Sequence, residues 1–241
     1  MCTTRAGGVS VPPYDSLNLG DHVGDNPIHV AANRGLLQEA LGVPSVFLSQ
    51  VHGTHVERLS SSTPHGTQAD GCFTAQPRLA CTIMVADCLP VLLTNLEGRW
   101  VGAAHAGWRG LVGPVGHGIL DSIFKDIRAL SLVDKGKTAT NVIAWLGPCI
   151  GPDAFEVGDD VRDAFVAGDL ATRSLFKPTS THKWLADLPG LARLRLAALG
   201  VTQIYGNDGS RAWCTFSNPS RFFSHRRDRV SGRIAVCIWR D

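Results

Sequence analysis

Residues 79–110 read LACTIMVADCLPVLLTNLEGRWVGAAHAGWRG. Three apolar runs follow one another here with short interruptions: Leu79–Ala86, Val91–Thr94 and Trp100–Ala104. Each is short and rich in Val, Ile, Leu or small residues, which predicts a buried strand. Similar runs at Ser45–Leu48, Asn141–Leu146 and Ile234–Trp239 predict three more strands. Three segments have helical spacing. Pro27–Leu41 carries Ile28, Ala31, Ala32, Leu36 and Leu37, and Pro114–Leu130 steps through Val115, Ile119, Ile123 and Ile127. Asp187–Leu199 carries Leu188, Leu191, Leu194 and Leu196, with Gly200 as a stop. Strands that follow each other directly, mixed with helices, predict an α+β fold or an α/β fold with a mixed sheet. Ser60–Gln68 reads as a surface loop inside one domain, and Asp134–Thr140 as a second loop.

The chain has 241 residues, 44% hydrophobic and 18% charged, enough to bury a core unaided. Lys plus Arg is 23 against 21 for Asp plus Glu, a net charge of +2, which argues against a nucleic-acid binder and a charged tail. The seven cysteines are odd in number, widely spaced and without a CxxC pair, so a reducing compartment is expected rather than a disulfide framework. MCTTRAGGVS at the start has no apolar h-region, and no apolar stretch is long enough for a bilayer. The expectation is a cytoplasmic globular protein.

Three segments end an apolar run in His or Cys, with Gly or Pro close behind. They are VFLSQVHG with His52, IMVADCLP with Cys88, and WVGAAHAGWR with His105. Strand ends hold reactive side chains well, because the strand fixes the backbone and the loop opens the site. Two imidazoles and a thiolate suit zinc, and three protein ligands leave a fourth position open. The separations of 36 and 17 residues match no short zinc-finger pattern. A Cys88–His105 nucleophile–base pair and ordinary buried roles remain open alternatives. Asp87, at the end of an apolar run, needs a partner.

Gly107–Gly113, GWRGLVG, leads towards the helix expected from Pro114, and Arg109 adds a fork for phosphate or carboxylate. It lacks the GxxxxGK[ST] pattern of a P-loop. Arg5 and Arg227 are weaker anion candidates, and Asn18 lies in a turn that could line a pocket. FFSHRRD at 222–228 mixes aromatics with a basic cluster that could hold a ring and an anion. His117 and His182 read as structural, and His22 and His55 are undecided.

Together TTRAGGVS, SLNLGDHVGDNP, QVHGTHV, ADGCFT, VADCLPVLL, AAHAGWRG, LGPCIGPDAFEVG and FFSHRRDRVSGRIA resemble the motifs of the YfiH family, also called the DUF152, laccase-domain or polyphenol-oxidase family. The resemblance runs from Thr3 to Trp239. It implies a single domain over residues 1–241, with an α/β/β/α layered sandwich and mixed sheets. It implies a metal site of His52, Cys88 and His105. It also implies purine nucleoside phosphorylase activity on adenosine, inosine and methylthioadenosine, adenosine deamination, and a link to peptidoglycan-precursor editing. His225 departs from the Tyr common in the family's FFSYRRD segment, which puts a ring-stacking role there in question.

The first functional reading is a zinc-dependent purine nucleoside enzyme taking nucleoside and phosphate, with Cys88, His105, Asp87 and Arg109 as catalytic candidates. Arg5, Asn18 and Arg227 are its substrate-binding candidates. The second is a cysteine hydrolase or amidase acting on peptidoglycan precursors through Cys88. The third is a copper polyphenol oxidase. Nine His and no HxH pair disfavour a multicopper set, leaving a lone Cu2+ as the alternative metal. The expected state is a monomer or weak homodimer, without nucleic-acid or membrane partners.

Overall fold

The computed structural model describes residues 1–133 and 141–241. The loop expected over 134–140 lies outside the described residues. The strands are β1 (Ser45–Phe47), β2 (Val56–Arg58), β3 (Gly71–Thr74), β4 (Ala80–Val85), β5 (Leu89–Asn95) and β6 (Val101–Ala106). They continue with β7 (Val142–Leu146), β8 (Glu156–Gly158), β9 (Phe176–Ser180), β10 (Lys183–Ala186), β11 (Gln203–Gly206) and β12 (Ile234–Ile238). The helices are α1 (Pro27–Leu41), α2 (Trp108–Val112), α3 (Ile119–Val133), α4 (Asp159–Gly168), α5 (Leu188–Ala198) and α6 (His225–Asp228).

A six-stranded sheet has the order β11-β7-β5-β6-β3-β2, and a three-stranded sheet the order β1-β4-β12. Both are mixed: β1/β4, β2/β3 and β7/β11 pair parallel, and their other pairs run antiparallel. A small antiparallel sheet, β8-β10-β9, stands apart.

Side-chain alternation stacks these sheets. Cys81, Ile83 and Val85 of β4 face Leu92, Val101 and Ala103 of the larger sheet. On the other side of β4, Ala80 and Met84 pack with Leu37 and Leu41 of α1. Leu89, Val91 and Leu93 of β5 turn the opposite way, onto Ile119, Ile123 and Ile127 of α3. The layers run α1, the β1-β4-β12 sheet, the six-stranded sheet, α3, which is the expected α/β/β/α sandwich. Strands β4, β5 and β6 are covered on both faces, which is why they read as near-continuous apolar runs. Gly102 allows α3 to approach β6, since a Cβ there would sit 3.1 Å from Ile123 Cδ1.

Helix α1 spans its expected bounds. The Asn26 side chain accepts from the Ile28 N–H at 2.9 Å, Pro27 opens the first turn, and Gly42 closes the helix at φ 64°. Its buried face is Val30, Asn33, Leu37 and Leu41, while Ile28 is 75% exposed. The apolar count misplaced that face because a polar residue, Asn33, occupies its centre. Asn33 holds the N-terminal segment through Ser10, Ser16 and Asn18. Helix α3 starts at Ile119, not at Pro114. Pro114–Gly116 is a separate 3-10 turn in which Val115 has φ 53° and is 96% exposed. The Asp121 carboxylate accepts from the Gly118 N–H at the start of α3.

Candidate metal centre and its cavity

The chain passes twice from the β1-β4-β12 sheet to the six-stranded one near the same point. The β1-to-β2 crossing carries His52, and the β4-to-β5 crossing carries Cys88. His105, near the end of β6, pairs in register with Pro90, two residues beyond Cys88. The crossings are sharp: His52 has φ 62° and Asp87 φ 91°. Left-handed conformations at non-glycine residues cost on the order of 1–3 kcal/mol each and persist where surrounding contacts dictate them.

Asp70 supplies much of that constraint. Its fully buried carboxylate accepts the backbone N–H groups of Val51, His52 and Gly53 at 3.2, 2.8 and 2.7 Å. It also stands 2.9 Å from Nδ1 of His105. The Asp70 backbone carbonyl accepts from the His105 N–H at 2.7 Å. Burial would raise the Asp70 pKa, but the His105 and backbone hydrogen bonds hold it below its ordinary value. An ionised Asp70 accepts only, so Nδ1 of His105 carries a proton and Nε2 is left as the ligand atom. Sequence reading did not single out Asp70. The signal available was an Asp beside Gly in ADGCFT, at the entry to a buried strand.

One ligand atom each from His52, Cys88 and His105 lie within 4.8 Å of one another. Cys88 Sγ is 3.6 Å from His52 Nε2. Tetrahedral zinc with its usual bond lengths places sulfur and nitrogen about 3.5 Å apart, so the donor set fits such an ion. The His52 and His105 rings meet edge-on, with centroids 4.7 Å apart. Gly107 makes this proximity possible: a Cβ there would lie 2.9 Å from Cys88 Sγ and 3.1 Å from His52 Cδ2. Burial would raise the Cys88 pKa, but His105 and His52 bring it down from 9.0 to about 6. Burial would depress His105, but the Cys88 sulfur and Asp70 raise it to about 9. Without a metal, these two groups are a thiolate beside an imidazolium at neutral pH.

The triad opens into a cavity of about 400 Å³. Asp87, Trp108 and Arg109 line it as well. Asp87 is tied down: Oδ1 accepts from Thr215 Oγ1 and Oδ2 from the Arg226 N–H, both at 2.6 Å. Arg109 stacks over Trp108 at 4.4 Å. It belongs to the short helix α2, so the glycine-rich turn is itself helical and does not lead directly into α3. His22, undecided from sequence, lines the cavity, and so does His225. His55 is exposed near Glu57.

Three sequence candidates stand outside the cavity lining. Arg5 binds the Asp15 carbonyl and carboxylate and the Pro219 carbonyl, and lies over Phe223. Asn18 is fully buried and bonds Gly20, Asp25 and Arg233. Arg227 spends its guanidinium on Asp228 and the carbonyls of Thr215, Phe216 and Phe222. Arg226, part of the FFSHRRD basic cluster, lines the cavity, and so does Arg233, which sequence reading did not single out.

The family model described as multi-copper polyphenol oxidoreductase laccase matches residues 1–241. The purine nucleoside phosphorylase YfiH of Escherichia coli is 48% identical over 242 residues, covering 98% of this chain and 91% of that protein. The chain belongs to the YfiH family. A second relative, purine nucleoside phosphorylase PA4543 of Pseudomonas aeruginosa, is 46% identical over 238 residues, covering 98% of this chain and 91% of its own. Among solved structures, a Neisseria meningitidis DUF152 protein superposes with a TM-score of 0.87 at 42% identity, over 100% of this chain and 93% of that one. YlmD from Geobacillus stearothermophilus gives 0.83 at 32% identity, over 99% and 90%. Among the described residues of this YfiH-family chain, no helix is long and apolar enough to cross a membrane.

Proposed function

We propose that this chain is a zinc-dependent purine nucleoside enzyme of the cytoplasm, acting as a monomer or weak homodimer. Its reactions are phosphorolysis of adenosine, inosine and methylthioadenosine, and deamination of adenosine. The observation that carries this reading is the His52–Cys88–His105 triad opening into a nucleoside-sized cavity with arginines on its wall. The relatives named purine nucleoside phosphorylase support it.

Zinc held by the triad would supply Lewis acidity at an open fourth position. The chain's own residues do the rest. Asp70 keeps the Nδ1 proton on His105 and shapes the His52 turn. Trp108, Phe155 and His225 offer flat faces for a purine ring. In phosphorolysis the bond from the purine nitrogen to sugar C1′ breaks and a phosphate oxygen bonds to C1′. The products are free base and the sugar 1-phosphate. The Arg109 guanidinium, stacked on Trp108, has no hydrogen-bond acceptor among the described residues and is available to the phosphate. In deamination water replaces the exocyclic amine and ammonia leaves. Asp87 acts by holding Arg226 in place, because both of its oxygens already accept hydrogen bonds.

Purified protein with inosine should release hypoxanthine only when phosphate is present. A strong chelator should stop the release, and added zinc should restore it. If wild type yields no base, the reading fails. One observation favours a second reading: the Cys88 thiolate beside a charged His105 is the nucleophile–base arrangement of a cysteine hydrolase. Amide cleavage of a muropeptide that survives chelation and is lost on Cys88 alkylation would select it. Copper is the alternative metal, and the metal content of protein purified without supplementation decides between the two.

A further inference from the structure

We infer that Arg233 and Arg226, joined by Arg109, form the subsite that receives the inorganic phosphate. The inference rests on the phosphorolytic reading and adds the residues that recognise its second substrate.

The arginines of this chain divide by partner. Arg5, Arg34, Arg162, Arg195 and Arg227 each face a carboxylate within ion-pair distance. Of the other described arginines, Arg109, Arg226 and Arg233 line the cavity beside the His52–Cys88–His105 triad, and none of the three faces a carboxylate within ion-pair distance. Arg233 is half-buried, and its Nη1 donates to the carbonyls of Ser231 and Gly232 at 3.0 Å. Arg226 is half-buried and gives Nη1 to the Glu156 carbonyl at 2.8 Å. In both, Nε and Nη2 have no protein acceptor among the described residues. A half-buried guanidinium with carbonyl neighbours on one side and open donors on the other suits an anion that arrives with the substrate. Phosphate, carrying more than one charge at neutral pH, suits several such forks.

Arg233 is also held in place. Its backbone N–H donates to Asn18 Oδ1 at 2.9 Å, and its carbonyl accepts from the Leu19 N–H at 3.1 Å. A Cβ on Gly20 would lie 2.8 Å from Arg233 Cγ. The SLNLG segment therefore acts through Arg233: Asn18 fixes its backbone and Gly20 leaves room for its stem. The Arg226 backbone is anchored by Asp87, next to the Cys88 ligand.

The test uses the zinc-loaded full chain with two readouts: the phosphate KM at saturating inosine, and calorimetric binding of inorganic phosphate. Arg233→Met and Arg226→Met should each raise the phosphate KM and weaken phosphate binding about ten-fold or more, leaving the inosine KM within about two-fold. Gly20→Ala should move the same quantities in the same direction. It tests the position independently if Arg233→Met fails to fold. Arg229→Gln, an exposed control that removes the same charge, should change neither. If wild type phosphorolyses inosine and the cavity variants keep wild-type phosphate KM and binding, the subsite is wrong and the phosphorolytic reading survives. If wild type binds phosphate through Arg233 but releases no base, the subsite stands and the phosphorolytic reading falls. If wild type does neither, both fall.

Discussion

The Asp70 carboxylate lies 2.9 Å from His105 Nδ1 and, through the same oxygen, 2.8 Å from the His52 backbone N–H. One buried group thus sets the tautomer of one metal-ligand candidate and the backbone of another. Asp70→Asn keeps the shape but replaces an acceptor with a donor facing donors. Zinc affinity, measured by competition with a chromophoric chelator, should fall about 10- to 100-fold. Unchanged affinity would show that Asp70 does not orient the ligands.

The Cys88 thiol, lowered to about 6 by its histidine neighbours, makes the metal-free protein reactive at neutral pH. Its alkylation rate should be near its plateau at pH 7 and fall as the pH drops through about 6, because the thiolate is being protonated. In His105→Gln the positive neighbour is gone, so the midpoint should move up. Zinc should protect the residue. A wild-type midpoint left at the ordinary thiol value would contradict the pairing.

Gly107→Ala places a methyl 2.9 Å from Cys88 Sγ. The φ of Gly107 is −65°, so the backbone accepts alanine and the damage falls on the ligands. The expected result is a folded protein, by circular dichroism, that retains well under one equivalent of zinc after dialysis. Full retention would mean that the triad can spread without losing the ion.

The corrected start of α3 separates two residues that the four-residue step placed on one face. Ile123 is fully buried and Val115 is 96% exposed. Ile123→Ala should cost about 2–5 kcal/mol in denaturant unfolding, and Val115→Ala should stay within about 0.5 kcal/mol. Equal costs would restore the longer helix.

Chelation offers a separate check on the role of the metal. The core between and around the two sheets is built almost wholly from apolar side chains outside the triad, of which only Cys88 packs at its edge. Removing zinc should abolish catalysis while leaving far-ultraviolet dichroism unchanged. Global unfolding on chelation would make the site structural instead.

Much of this architecture was legible from local pattern. The apolar runs at Leu79–Ala86 and Trp100–Ala104 announce strands because β4 and β6 are buried on both faces, and the spacing over Pro27–Leu41 announces α1. His52, Cys88 and His105 were marked because each ends such a run beside Gly or Pro, and the family motifs surround them. Such signals reside in neighbours along the chain, so no fold is needed to read them. The short strands β2, β3 and β8 to β11, three to five residues each, were too short to stand out as apolar runs.

What tertiary structure decided is which polar groups are already spent. Arg227 and Arg226 are adjacent and chemically identical, yet Arg227 is consumed by carbonyls and Asp228 while Arg226 reaches the cavity. Asn18 binds Arg233, 215 residues away along the chain, and Asp70 binds His105 across 35. Hydrogen bonds are short-ranged and directional, and their partners here meet only after two crossings bring the sheets face to face. Residue types at the ends of apolar runs, and the motifs around them, marked the His52–Cys88–His105 triad; the packing of the sheets selected its orienting carboxylate and the arginines that reach its cavity.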